Sequence, residues 1–207
     1  DGRYVSNGFT ATVPSYNQKG EIGDHSLTGG LGVSFDLTDE MTGYISAAHG
    51  YAAGGYEKLL IGAANGDPAN PFSPATNDSF EAGLKYRSFD NRFSANFAGF
   101  YNRVKNGQMF DYTFNGPSVN YVFTNQDYNT WGLEFDGAAE ILPDLLLRGS
   151  ISLLKSELVN VSPTTLTGAA NGNKVPLVPG VSANLGIDYR LSGSTIGIEG
   201  DILMGAE

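Results

Sequence analysis

Two pairs of carboxylates stand at a spacing that could support acid–base chemistry. Glu134 and Asp136 lie two residues apart, as do Glu199 and Asp201, so each pair would point to one side of a β-strand. Glycoside hydrolysis needs two carboxyl groups roughly 5 to 10 Å apart. The sequence supplies no partner that would orient or activate either pair, and hydrated, ion-paired carboxylates are the simpler interpretation. We therefore expect no catalytic residue here.

The sequence contains no local motif for a metal site or for a catalytic nucleophile. His25 and His49, the two histidines, form no i, i+3 or i, i+4 pair, and the chain contains no cysteine. The Gly-x-Ser-x-Gly, Gly-x-Gly-x-x-Gly and Walker A sequences are also missing. On a strand near an extracellular end His49 could touch a ligand, but it is predicted to be an interfacial or loop residue without one. We predict no metal site, no cofactor and no enzymatic activity.

Two polar, turn-rich stretches could contact a ligand: residues 54–76 carry Tyr56 and Lys58 among charged and amide residues, and residues 107–125 are rich in aromatic residues. Aromatic rings offer a large contact area that is ordered at little conformational cost, which suits the face of a small molecule. The same rings could equally pack against one another. The candidate ligand-binding residues are Tyr56, Lys58, Phe110, Tyr112, Phe114 and Tyr121.

The elements that must position these residues are predicted by an alternation of period 2. In residues 131–141 the odd positions are mostly apolar while the even positions are small or acidic, and residues 181–191 repeat the pattern. Weaker versions cover residues 31–37, 80–86, 93–101, 145–153 and 196–202, and residues 41–51 have the least clean phase. The pattern predicts an all-β fold of about eight strands.

Short and long connections take turns along the chain. The short ones are residues 38–40, 90–91, 142–144 and 192–194, and the long ones are 54–76, 107–125 and 159–178. Strands that reverse in this way are antiparallel, with tight turns at one end of the sheet and long loops at the other. Nothing indicates a linker, so residues 1–207 are predicted to be one domain.

Composition indicates the medium that the sheet faces. Charged residues are 16% of the chain, where soluble domains have about 25%, and 28 of the 207 residues are glycine. The net charge of −10 disfavours nucleic acid as a partner. A thin polar face of Gly, Ala, Ser and Asn suits a hydrated interior, with the apolar face towards lipid. Aromatic residues predicted to mark the membrane interfaces are Tyr44, Phe89, Phe93, Tyr101, Trp131 and Tyr189.

Several motifs resemble the C-terminal half of the barrel of TonB-dependent outer-membrane receptors. They are the Gly-Tyr-x-Ala-Gly-Gly stretch at 50–55, the Pro-Phe-x-Pro-x-Thr-x-x-Ser-x-Glu-x-Gly-Leu-Lys run at 71–85, Phe-Asp-Asn-Arg at 89–92 and Gly-Leu-Glu at 132–134. The longer similar stretches are residues 26–56, 71–106, 131–158 and 175–191, which together cover about half of the chain in the order that the family shows.

The resemblance implies a bacterial outer-membrane barrel of about 22 strands, with short periplasmic turns and long extracellular loops. Such receptors take up a scarce ligand, most commonly a ferric siderophore and otherwise cobalamin, haem or an oligosaccharide, using energy delivered by TonB through a plug domain. This chain would be a partial barrel domain of about eight strands that lacks the plug and the final strand. The loop aromatics would then contact cargo, one another or lipopolysaccharide.

Two other architectures remain open from the sequence. One is a self-contained eight-stranded outer-membrane barrel, which would require the first and last strands to pair. The other is a soluble β-sandwich that binds a ligand, which would bury its apolar face against a second sheet.

Overall fold

The computed structural model describes residues 2–6, 9–13, 23–56, 71–115, 118–162, 168–191 and 194–204. These residues form β-strands and turns and contain no helix. No helix long and apolar enough to span a bilayer occurs among them. The strands are β1 (Gly2–Ser6), β2 (Phe9–Val13), β3 (Gly29–Asp36), β4 (Met41–Ala52), β5 (Gly55–Tyr56), β6 (Pro71–Phe72), β7 (Ala75–Arg87), β8 (Phe93–Asn115), β9 (Ser118–Leu142), β10 (Leu145–Val159), β11 (Val181–Leu191) and β12 (Ser194–Met204).

Eight of the strands form one antiparallel sheet in the order β12-β11-β10-β9-β8-β7-β4-β3. Neighbours in the sheet are therefore successive long strands of the chain, as the alternation predicted. β1 pairs with β2, and β5 pairs with β6, in separate two-stranded sheets. β3 and β12 form the edges of the large sheet and do not pair with each other, so the eight strands do not close into a barrel of their own.

The register gives the sheet one apolar and one polar face. Phe97 of β8 lies opposite Leu84 of β7 and Phe135 of β9, and Phe135 lies opposite Ile151 of β10. Because side chains alternate along a strand, the residues between these positions share the other face, where Asn96 lies opposite Lys85 and Asp136. We call these the apolar face and the polar face.

None of the described residues forms a protein layer against the apolar face. Phe97 and Phe135 are each close to half exposed, and Ala75 and Leu158 are the only buried hydrophobic residues in the part of the chain that the structure describes. A soluble β-sandwich would bury this face against a second sheet. The described residues provide no such sheet, so the apolar face needs a cover from outside them.

Short turns connect the strands at one end of the sheet. In the turn between β7 and β8, Asn91 has a φ of 56°, and in the turn between β9 and β10, Asp144 has a φ of 67°. Asn and Asp tolerate this left-handed conformation better than most residues. The Ser88 hydroxyl donates to Asp90 at 2.6 Å and the Arg92 backbone N–H donates at 3.1 Å, and both hydrogen bonds lower the pKa of Asp90.

The predicted loop at 107–125 is wrong: the structure continues β8 and β9 as a two-stranded ribbon through this region. β8 runs for 23 residues and β9 for 25, and the register pairs Phe110 with Phe123 and Tyr112 with Tyr121. Asn and Gly in this stretch favoured a loop, but its aromatic and β-branched residues also alternate, which favours strands. The connection between β4 and β7 holds β5 and β6, and residues 168–180 before β11 form no strand.

Candidate functional site

Five of the six predicted ligand-binding residues are described, and they lie at the end of the sheet that has the long connections. Tyr56 is in β5, opposite Pro71, and Phe110 is in β8, opposite Phe123. Tyr112, Phe114 and Tyr121 lie further along the ribbon, where the structure describes the backbone but not the side chains. Lys58 lies outside the described residues.

A β-bulge decides which face of the ribbon these positions share. Between Val104 and Gly107, β8 advances three residues while β9 advances two, from Tyr128 to Gln126. Asn106 takes up the extra residue with a φ of 52°. The alternation of side chains between the two faces therefore continues without interruption along β9. Phe123 lies on the continuation of the apolar face.

Three rings form an aromatic cluster on this face of the ribbon. The rings of Phe72 and Phe123 are 5.3 Å apart at 30°, and those of Phe110 and Phe123 are 5.5 Å apart at 70°. Both separations are favourable for aromatic pairs. Phe72 belongs to β6, so the cluster joins the β4–β7 connection to the ribbon. Phe110 keeps 52% of its surface exposed, so the cluster still presents an aromatic surface.

The side-chain amides of Asn125 and Gln108 hydrogen-bond the ribbon to the β4–β7 connection. We call these hydrogen bonds the amide clasp. Asn125 Oδ1 accepts a hydrogen bond from the Ser73 backbone N–H at 2.6 Å, and Asn125 Nδ2 donates to the Ser73 carbonyl at 2.9 Å. Gln108 Nε2 donates to the Ala53 carbonyl at 2.8 Å. Sequence reasoning missed the clasp because its partners are 35 to 55 residues apart in the chain.

The polar face carries a continuous row of polar side chains across all eight strands. Neighbouring members lie directly opposite each other, in the order Asp36, Thr42, Lys85, Asn96, Asp136, Ser150, Asn184 and Asp201. Thr42 donates to Asp36 at 2.9 Å, and Asn96 donates to Asp136 at 2.8 Å. Asn184 likewise donates to Asp201, so side-chain hydrogen bonds join three of the neighbouring pairs on an open, polar surface.

Both carboxylate pairs belong to this polar face. Asn184 Nδ2 lies within hydrogen-bond distance of Glu199 at 3.0 Å and of Asp201 at 2.6 Å. Ser152 donates to Glu134 over 3.5 Å, so the groups that face these acids are amides and hydroxyls. An Arg148–Asp188 ion pair of 3.3 Å lies nearer the turn end. This chemistry holds polar groups and water, and among the described residues no His/Asp/Glu group suited to a metal ion occurs.

Tyr44 lies on the polar face, which corrects its predicted place in an interfacial aromatic belt. Its ring covers Gly83, directly opposite on β7, and its hydroxyl donates to Glu81 at 2.6 Å. Lys85 Nζ lies 5.0 Å from the centre of the ring, a cation–π distance. The prediction failed because the phase of residues 41–51 is ambiguous in the sequence, and only the register with β7 decides it.

His49 ends the apolar face at the side of the long connections. Its Nδ1 lies 2.6 Å from Asp78 Oδ1, and both side chains are about 40% exposed. The two residues are directly opposite each other on β4 and β7. The structure thus gives His49 a carboxylate partner and places it within β4, three residues before the end of that strand, rather than in a loop.

The chain matches one protein-family model and is similar in fold to several solved structures. A family model described as TonB dependent receptor-like, beta-barrel matches residues 1–201. Among solved structures, the chain is similar to the ferric yersiniabactin uptake receptor FyuA from Yersinia pestis, with a TM-score of 0.60 and 22% identity over 78% of this chain and 22% of that one. It is also similar to the copper transporter OprC, with a TM-score of 0.63 and 17% identity over 82% of this chain and 26% of that one.

A third similar structure is the siderophore receptor PiuA from Acinetobacter baumannii. Its TM-score is 0.55 and its identity is 24%, over 78% of this chain and 23% of PiuA. The chain therefore spans about a quarter of the length of each of these proteins. At these identities, the likeness establishes a shared fold.

Proposed function

This chain belongs to the TonB-dependent receptor-like β-barrel family, and on that premise we propose that it forms part of the wall of an outer-membrane receptor that imports a ferric siderophore. The family consists of receptors and transporters rather than enzymes. In this proposal the sheet is an arc of about eight strands in a barrel of about 22. The polar face lines the interior and the apolar face contacts lipid.

The observation that carries the proposal is the division of one sheet into two unlike faces, with none of the described residues packed over the apolar one. From Phe93 to Tyr101, β8 advances eight residues, or about 27 Å at roughly 3.4 Å each, and a tilt of about 40° leaves about 21 Å. That height is close to the apolar band of roughly 25 Å on membrane barrels. A bilayer is therefore the cover that fits this face.

The connections at the two ends of the sheet indicate which end would face the periplasm and which would face the outside of the cell. Barrels of this kind have short periplasmic turns and long extracellular connections. The turns at 37–40 and 88–92 would lie in the periplasm, and the ribbon and the β4–β7 connection would lie outside the cell. A plug in the full-length protein would contact TonB, and lipopolysaccharide would surround the extracellular edge.

The siderophore as cargo is supported by the names of two similar proteins, FyuA and PiuA, and by the aromatic surface at the extracellular end. We assign cargo contact to Tyr56, Lys58, Phe110, Tyr112, Phe114 and Tyr121. Aromatic rings would contact the organic shell of the complex, and Lys58 would attract its negative charge.

Uptake of iron by intact cells tests the proposal. The full-length receptor that contains this segment is deleted, and import of radioactive iron is measured with hydroxamate, catecholate and mixed-ligand siderophores as separate probes. We expect import of one complex to be lost on deletion and equally lost without TonB. Import of all three complexes unchanged by the deletion would exclude the siderophore assignment.

The loop assignment has its own matched variants. Tyr112→Ala in the full-length receptor is expected to weaken binding of that complex, since it removes an aromatic position of the ribbon. Thr113→Ala, the next residue along β8, serves as the control because alternate positions face opposite sides. Equal affinity of the two variants and the wild type would remove Tyr112 from the binding site.

A further inference from the structure

A continuous chain of hydrogen bonds joins the β4–β7 connection to the connection between β10 and β11. It begins at Ser73, whose backbone N–H and carbonyl are both bound by the side-chain amide of Asn125 in the amide clasp. Asn125 Nδ2 also donates to the carbonyl of Asn106 at 2.8 Å. The Asn106 backbone N–H donates to Asp127 Oδ1 at 2.8 Å, and Asp127 Oδ2 accepts a hydrogen bond from Asn160 at 2.9 Å. We call these residues the bulge relay.

The β-bulge supplies the middle of the relay. Asn106 has no partner in the register between β8 and β9, so the regular ladder does not pair its backbone groups. Asn125 and Asp127 lie on the same face of β9, about 7 Å apart along the strand, and they bind the carbonyl and the N–H of Asn106. The relay side chains therefore satisfy the backbone of the bulge, whose φ of 52° is one that asparagine tolerates.

Both ends of the relay are attached to further structure. In the β4–β7 connection, Phe72 precedes the first relay residue, and its ring packs on Phe123 with the centres 5.3 Å apart. In the other connection, Val161 follows the last relay residue, and its backbone N–H donates to Asn171 at 2.8 Å. Gln126, between the two relay residues of β9, donates to the last carbonyl of β10 at 2.6 Å. The relay therefore connects two segments that are each ordered by contacts of their own.

We propose that the bulge relay is a conformational device that couples the two connections, so that loosening one of them loosens the other. The Asn106 carbonyl fixes the plane of the Asn125 amide, and that amide holds Ser73. Loss of the Asp127 carboxylate would free the Asn106 N–H, allow the bulge to rotate and withdraw the carbonyl from Asn125. Coupling through such a contiguous network needs no direct contact between the two connections.

In a receptor, this coupling would make the ribbon and its two neighbouring connections respond together when cargo contacts one of them. Tyr56 and Phe110, two of the proposed cargo contacts, lie on the coupled segments. The role in cargo uptake rests on the function proposed above. The coupling itself is a property of the protein without cargo, so the two proposals are tested separately.

Hydrogen exchange in the full-length receptor, in detergent micelles and without cargo, tests the coupling. The probes are the backbone amides of Ser73 and Val161, which donate hydrogen bonds at opposite ends of the relay. Asp127→Ala is expected to accelerate exchange of the distant Ser73 amide roughly five-fold, at the lower end of couplings between separate sites. Asn125→Ala is expected to accelerate exchange of the Val161 amide by a similar factor, because such coupling is reciprocal.

Two comparisons separate the relay from a general loosening of the structure. Asn129→Ala removes another side-chain amide from the same face of β9, one that contacts Glu157 instead of the relay, and it should leave exchange of the Ser73 amide unchanged. At the bulge, Asn106→Gly keeps the backbone donor and acceptor and tolerates a positive φ, so it should behave as the wild type. Asn106→Val disfavours that conformation and should accelerate exchange at both probes.

Three results would each overturn the coupling. They are unchanged exchange at the far end of the relay in either Asp127→Ala or Asn125→Ala, acceleration by Asn129→Ala equal to that by Asp127→Ala, and equal exchange in Asn106→Gly and Asn106→Val. Since no cargo is present, the outcome does not depend on transport. Far-end acceleration in a receptor that imports no siderophore would support the coupling and refute only the transport function.

Discussion

The apolar face has two regions that meet different surroundings: the stretch from Phe93 to Tyr101 of β8 with the residues opposite it, which we call the band, and the ribbon. In the band, Phe97 and Phe135 stand on β8 and β9 with about half of their surface exposed. In the ribbon, beyond the bulge at Asn106, Phe123 of β9 has the same phase but packs between Phe72 and Phe110. Phe123 is thus contacted by aromatic rings on two sides, whereas Phe97 and Phe135 stay about half exposed, as does Phe110 at the edge of the cluster.

The proposed membrane location accounts for this difference. A bilayer would cover apolar side chains in the band without any specific contact, so the sequence there needs only apolar character. The ribbon would lie above the membrane in water, where exposed rings gain stability by packing together. The amide clasp of Asn125 and Gln108 then fixes which segment supplies the cover.

The largest expected effect comes from placing a charge in the band. Phe97→Arg in the full-length receptor is expected to lower the free energy of unfolding by about 2–4 kcal/mol, because the charge would enter the lipid. Ala98→Arg is the matched control, since Ala98 is on the polar face opposite Gly83 and Glu134. Urea-dependent unfolding in lipid vesicles measures both. Equal losses would mean that the faces are wrongly assigned.

A smaller effect on the free energy of unfolding is expected from substituting alanine for either of two glycines, Gly83 and Gly99, which have different neighbours. A Cβ at Gly83 would lie 2.5 Å from the Tyr44 ring. Gly83→Ala must therefore displace this ring, whose hydroxyl donates a hydrogen bond to Glu81. We expect a loss of about 1–3 kcal/mol in the same unfolding measurement. At Gly99, on the apolar face, the nearest atom would be Leu133 Cδ2 at 3.5 Å, and Gly99→Ala should change stability by less than about 1 kcal/mol.

The result for Gly99 sharpens the comparison of the faces. Specific packing is confined to the polar face if Gly83→Ala alone is costly. A similar loss at both glycines would show that the apolar face also depends on specific contacts between side chains.

The smallest effect is expected in the ribbon and should be local. Phe123→Ala removes two aromatic pairs and is expected to weaken the contact with β6 by about 1–2 kcal/mol. Hydrogen exchange of the Ser73 amide, which donates to Asn125, should then accelerate by roughly ten-fold. Thr124→Ala, on the opposite face of β9, should leave that exchange unchanged. Unaltered exchange in Phe123→Ala would show that the clasp holds β6 without the rings.

The strands and their order were largely predictable from the sequence, because alternation reports which side of a strand faces an apolar medium. Every alternating run became part of a strand in the large sheet, including residues 41–51 with their uncertain phase. The face of Tyr44 was not predictable. Tyr is amphipathic and suits a membrane interface as well as a hydrated surface, and only the pairing with Gly83 distinguishes the two.

The region of residues 107–125 shows a second limit. Its Asn and Gly residues favour a loop and its aromatic alternation favours strands, and the pairing of β8 with β9 decides between them. Of the predicted ligand contacts, Phe110 proved to belong to an aromatic cluster with Phe72 and Phe123, which the sequence did not identify. Cargo contact by the six candidate residues stays a prediction.

The sequence by itself determined the strand pattern, the two unlike faces, the short and long connections and the family, because each of these depends on neighbouring residues or on local motifs. The tertiary structure alone decided which side chains meet across strands: the polar row from Asp36 to Asp201, the ring of Tyr44 over Gly83, and the amide clasp. These contacts depend on register and on one bulge at Asn106, and a shift of one residue in either would move every side chain of a strand to the other face.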